Sequence, residues 1–99
     1  MLLMLLNRDK SQLLIIDVQE KLLEAISGKD RVIDRCVRLV RGARMLQVPI
    51  TVSEQYPQGL GPTADSIRDA LANSGFVVDK VEFSCLKNEA LRERLHELR

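Results

Sequence analysis

Residues 13–23 read LLIIDVQEKLL, four consecutive branched apolar residues followed at once by Asp17. A run such as Leu13-Leu14-Ile15-Ile16 is the pattern of a strand buried on both faces, because helices on either side of a parallel sheet remove the need for polar alternation. An ionised carboxylate is costly to desolvate in that setting. Asp17 therefore either marks where the strand leaves the core or is held at a strand end for chemistry.

Working outward, the chain divides into three units, each a strand followed by a helix. DVQEKLLEAISGKD is a short helical or irregular link ending at Ser27-Gly28, a breaker pair. Asp30 is expected to cap a helix from about Arg31 to Gln47, with Val32, Ile33, Cys36, Val37, Leu39, Val40, Ala43 and Leu46 at spacings of three and four facing a sheet. Val48-Pro49-Ile50-Thr51-Val52-Ser53 is rich in β-branched residues and tolerates its proline near the start, so it reads as the second strand. EQYPQGLGPTAD holds two prolines and two glycines and reads as a loop, of a length usually functional or disordered. Thr63 or Asp65 is expected to cap the helix SIRDALANSG, with Ile67, Ala70 and Leu71 inward and Gly75 as its stop. Phe76–Lys80 is the third strand, and a helix from about Asn88 to Leu98 carries Leu91, Leu95 and Leu98 on one face. Strand alternating with helix three times predicts a parallel sheet with right-handed crossovers, in the doubly wound class.

Ninety-nine residues allow one domain at most, with a modest core that buries about 60 to 65% of the unfolded surface. Apolar residues make up 45% and charged residues 29%, the balance of a soluble globular chain. A formal charge of +1 and only two phenylalanines and one tyrosine argue against nucleic acid or an anionic membrane as partner. Cys36 and Cys85, with His96 as the one histidine, are too sparse for a disulfide scaffold or a zinc site, so a reducing cytoplasm is the default expectation. No metal and no other cofactor is expected. MLLMLL at the N-terminus falls far short of the roughly 20 residues of a membrane span and lacks the flanks of a signal peptide. It reads as neither, with Met1 and Met4 as alternative starts.

In open parallel sheets, ligands bind outside the carboxyl ends of the strands. Strand one delivers Asp17 there, strand two Ser53, Glu54 and Gln55, and strand three Lys80. Asp17 and Lys80 can meet over that edge, either as a structural ion pair or as base and electrostatic stabiliser in a cleft. No GxGxxG or GxxxxGK[ST] follows a strand, so phosphate-cradling versions of the architecture lose support. Cys85 lies five residues after Lys80; in an extended chain that odd offset puts the two on opposite faces, and Cys85 reads as a small buried hydrophobe. Cys36 belongs to a core-facing stripe, and the charge-rich LRERLHELR reads as a solvated face.

Taken together, LLIIDVQEKLL, RLVRGARMLQVPITVSEQYPQGLGPT and DKVEFSC resemble the isochorismatase-like hydrolases, a cysteine hydrolase family that includes nicotinamidases. The resemblance implies a three-layer α/β/α, Rossmann-like fold, cut after about three βα units, so residues 1–99 correspond to the N-terminal part of one domain. It implies Asp17 as the base that takes a thiol proton and Lys80 as its electrostatic partner. Gln19, Gln55 and Phe83 are the expected substrate contacts. The family's nucleophilic cysteine follows a further strand, in a segment of the type G-x-x-x-x-x-C that has no counterpart here, and Cys85 occupies a different place in the pattern. The expected complete activity is cleavage of a small amide or related carbonyl compound by an oligomer of identical chains. The alternatives are an inactive, association-prone half-domain and a small α/β binding module.

Overall fold

The computed structural model describes residues 6–98. Three parallel strands, β1 (Leu13–Ile16), β2 (Ile50–Gln55) and β3 (Phe76–Lys80), form one sheet in the order β1-β2-β3. Leu13 registers with Ile50 and Ile16 with Ser53, while Thr51 registers with Phe76 and Gln55 with Lys80. Five helices connect and cover the sheet: α1 (Glu20–Glu24), α2 (Lys29–Met45), α3 (Pro57–Leu60), α4 (Asp65–Leu71) and α5 (Glu89–Glu97).

Alternation along the strands separates two faces. Ile15, Ile50 and Val52 pack with Val40 and Ala43 of α2 and with Ile67, Ala70 and Leu71 of α4 in a single core. The opposite face meets α5, whose Arg94 guanidinium lies 4.8 Å from the Phe76 ring centroid and donates to Thr51 Oγ1 at 3.3 Å. Three layers result, as expected, and the LRERLHELR segment is a packing helix as well as a solvated face. Its Leu91 is fully buried.

Several sequence expectations are corrected at their edges. Ile15 is buried but Ile16 is 52% exposed, so β1 is not covered on both faces. Among the described residues β1 pairs with β2 alone. The second strand begins at Ile50 rather than Val48, because Pro49 has no N–H to place in the ladder. Its carbonyl instead accepts from the Leu13 amide at 2.9 Å, and the strand runs on through Glu54 and Gln55.

Gly28, at φ 77°, precedes α2 and supplies the left-handed turn, leaving Asp30 in the first helical turn where its charge favours the helix dipole. Within α2, Val32 and Leu39 stand on the flank of the apolar stripe and stay exposed, as does Leu46 just past its end, while Val40 and Ala43 are buried. Neither Thr63 nor Asp65 caps α4; Ala64 occupies that position, and Thr63 is engaged elsewhere. The helix stops at Leu71 through Ala72 and Asn73, both left-handed, at φ 45° and 68°. Gly75 serves packing instead, since a Cβ there would stand 2.8 Å from Leu71 Cδ2. The expected loop after β2 is ordered and contains the single turn α3. The reading of MLLMLL lies, apart from Leu6, outside the described residues.

Candidate active site

Asp17 is the first residue past β1, and its backbone turns into the left-handed region at φ 52°. Aspartate tolerates this conformation better than branched or bulky residues, yet such backbones persist only where surrounding contacts hold them. Here the Asp17 amide donates to the Ser53 carbonyl at 3.1 Å, fixing the turn to the neighbouring strand. The carboxylate then swings over the end of the sheet. Lys80 Nζ donates to Asp17 Oδ2 at 2.8 Å, and Ser53 Oγ donates to Asp17 Oδ1 at 2.8 Å.

The Lys80 side chain is fully buried and that of Asp17 is 16% exposed. A buried ammonium is costly to leave without acceptors, and this one has three. Besides Asp17, it donates to the carbonyls of Glu82 and Phe83, each at 3.0 Å. The chain after β3 thus folds back over Lys80 instead of staying extended. That bend overturns the expectation for Cys85: its Sγ lies 3.7 Å from Ser53 Oγ, on the same side as the ion pair. Asp17, Ser53, Lys80 and Cys85 form one connected cluster.

The three expected substrate contacts occupy different surroundings. Gln19 is fully buried and its amide is committed to backbone, donating to Gln55 O at 3.0 Å and Gly61 O at 2.8 Å and accepting from Gln55 N at 2.7 Å. It clamps the end of β2 to the segment after α3. Gln55 is half-buried, with its main chain held by that clamp. The Phe83 ring is 87% exposed, and Phe83 reaches the ion pair through its carbonyl. A second clamp was not foreseen: Glu54 Oε2 accepts from both the amide and the hydroxyl of Thr63, each at 2.7 Å. Its sequence signal was the polar pair Ser53-Glu54 at the end of a β-branched strand.

Other ionisable groups stand apart. Burial pushes the Cys36 thiol up from its ordinary value, which disfavours the reactive thiolate. The Asn88 side-chain amide, followed by backbone amides, holds the Glu82 carboxyl below its usual range. Among the described residues, no three His, Cys, Asp or Glu side chains gather closely enough to hold a metal ion, and no helix is long and apolar enough to cross a membrane.

With this geometry in place, comparison with known proteins is specific. The isochorismatase domain matches residues 11–99. The chain belongs to the isochorismatase domain family. Human isochorismatase domain-containing protein 2 is 40% identical over 57 residues, covering 58% of this chain and 28% of that protein. Isochorismatase domain-containing protein 1 of Salmo salar is 40% identical over 74 residues, covering 75% of this chain and 25% of that one. Among solved structures, a protein titled MAR1 ribonuclease from Caenorhabditis elegans is 34% identical with a TM-score of 0.83, and 92% of this chain covers 47% of it. An isochorismatase from Pseudomonas putida is 27% identical with a TM-score of 0.80, and 94% of this chain covers 53% of it. This isochorismatase-family chain thus spans about half the length of its solved relatives and about a quarter of these curated ones.

Proposed function

We propose that this chain carries the aspartate and lysine of a hydrolytic site that opens a small amide or related carbonyl compound through a thiol. The observation that carries the reading is the 2.8 Å contact between the buried Lys80 ammonium and Asp17 at the carboxyl end of the sheet. Asp17 accepts the thiol proton while Lys80, held by two further carbonyls, keeps the resulting charges in place. The thiolate adds to the carbonyl carbon, the amine leaves with the proton returned from Asp17, and water then releases the acid from the thioester. Family membership supports hydrolysis as the reaction class. Gln19 acts as a positioning residue through its clamp, while Gln55 and Phe83 are the proposed substrate contacts.

The two free cysteines fit a reducing compartment such as the cytoplasm. The exposed Ile16 favours association of copies. One structural relative is titled a ribonuclease. A net charge of +1 and few aromatic side chains give this chain little purchase on a polyanion, so small carbonyl compounds rank above RNA. The test is to incubate the protein with a panel of small amides and with single-stranded RNA, alongside Asp17→Ala. Amide turnover that falls at least about a hundredfold in the variant is the expected result. Turnover that survives Asp17→Ala sinks the reading, and RNA cleavage lost in the variant would redirect it. No turnover by the wild type favours the inactive half-domain.

A further inference from the structure

We propose that Ser53 is a proton relay that joins the Cys85 thiol to Asp17, making Cys85 a nucleophile contained within this chain. The inference rests on Asp17 acting as a base, but it assigns two residues that the family pattern leaves without a role. Four side chains from separate segments meet in a line: Cys85 Sγ to Ser53 Oγ at 3.7 Å, Ser53 Oγ to Asp17 Oδ1 at 2.8 Å, and Asp17 Oδ2 to Lys80 Nζ at 2.8 Å. Each contact has its donor and acceptor in order. The thiol donates to the serine oxygen, the serine hydroxyl donates to the carboxylate, and the ammonium donates to the carboxylate's other oxygen.

Ser53 is fully buried in the central strand, so its hydroxyl has few partners to choose among. A hydroxyl donates one proton and accepts through its lone pairs, and here it does both, toward two groups that exchange a proton in thiol activation. The step balances. The S–H bond of Cys85 breaks as a new O–H bond forms on Ser53, and the original Ser53 proton passes to Asp17 Oδ1. A thiolate, an intact serine hydroxyl and a neutral Asp17 remain, with the Lys80 ammonium beside them. The net charge of the cluster is unchanged.

The thiol is also reachable. Cys85 is half-buried, Phe83 and Leu86 near it in the chain are exposed, and so is Ile16, which registers with the Ser53 that Cys85 touches. The ligand class is a carbonyl or alkyl electrophile carrying an apolar group that lies along these side chains. Cys36, by contrast, packs against the core.

The test uses iodoacetamide, in which the thiolate forms an S–C bond and iodide leaves. The protein is alkylated at pH 7, and each cysteine is followed by peptide mass spectrometry. Cys85 is expected to react at least about tenfold faster than Cys36, and Ser53→Ala and Asp17→Asn are each expected to slow it about tenfold. Ser53→Thr, which keeps a hydroxyl, restores the rate; a role in packing alone would not follow the hydroxyl. Equal Cys85 rates in wild type and a folded Ser53→Ala overturn the relay, while slowing in Asp17→Asn under those conditions leaves Asp17 standing as base. Slowing in Ser53→Ala that Ser53→Thr does not restore also overturns it. Should Ser53→Ala fail to fold, Asp17→Asn decides: an unchanged Cys85 rate overturns the relay.

Discussion

Asp17 and Glu54 are acidic side chains at the same end of the same sheet, held in opposite ways. Glu54 has one oxygen gripped by two donors of a single residue, Thr63, on the face covered by α2 and α4. Asp17 divides its oxygens between a serine and a lysine from two different strands, on the face that α5 covers only in part, and keeps some exposure to solvent. The first arrangement ties down a loop. The second brings an ammonium and a hydroxyl to one carboxylate, with a thiol on the far side of the hydroxyl, the arrangement on which the proposed proton transfer rests. A buried carboxylate alone therefore does not single out a candidate site; the diversity of its partners does.

Mutations can break this comparison, and the largest effect falls on the ion pair. Asp17→Ala leaves the Lys80 ammonium buried with carbonyl partners only, and should cost about 3–5 kcal/mol of stability by urea denaturation. A loss below about 1 kcal/mol, the range of exposed pairs, would mean that the cluster opens to water in solution. Thr63→Val removes one charge-assisted hydrogen bond from Glu54 and should cost about 1.5–3 kcal/mol while leaving Cys85 alkylation at the wild-type rate. A change in that rate would show that the clamp and the site are one unit. The smallest effect belongs to Asn88, whose side chain caps α5 by accepting from the Leu91 amide at 3.0 Å. Asn88→Ala should cost about 1 kcal/mol, read as a lower thermal midpoint, with both clusters intact.

Much of this was legible in the chain itself. The apolar run ending at Asp17, the β-branched run before Ser53 and the short strand ending at Lys80 each announced a strand, and the strand-end rule then brought Asp17 and Lys80 together. What was not legible depended on where backbone turns. Extending the chain past Lys80 sent Cys85 to the wrong face, because nothing in VEFS declared that two of its carbonyls would fold back onto the lysine. Thr63 looked like a helix cap, which is its commonest use, until Glu54 claimed both its donors. Gln19 looked like a ligand contact for the same reason: a polar side chain beside a site residue has two destinations, solvent or backbone, and local sequence does not distinguish them.

The long sequence separations within the cluster have a consequence for how it comes and goes. Asp17 must find Ser53 across 36 residues and Lys80 across 63. Both closures span more chain than the β2–β3 pairing, whose partners Thr51 and Phe76 lie 25 residues apart, and so carry a somewhat larger loop-entropy cost. Opening of the turn at Asp17 would part the carboxylate from its lysine while the central strand keeps its core. The Asp17 amide, bonded to the Ser53 carbonyl, should then exchange its hydrogen with solvent sooner than the amides of β2, and its exchange rate would clock how often the cluster exists.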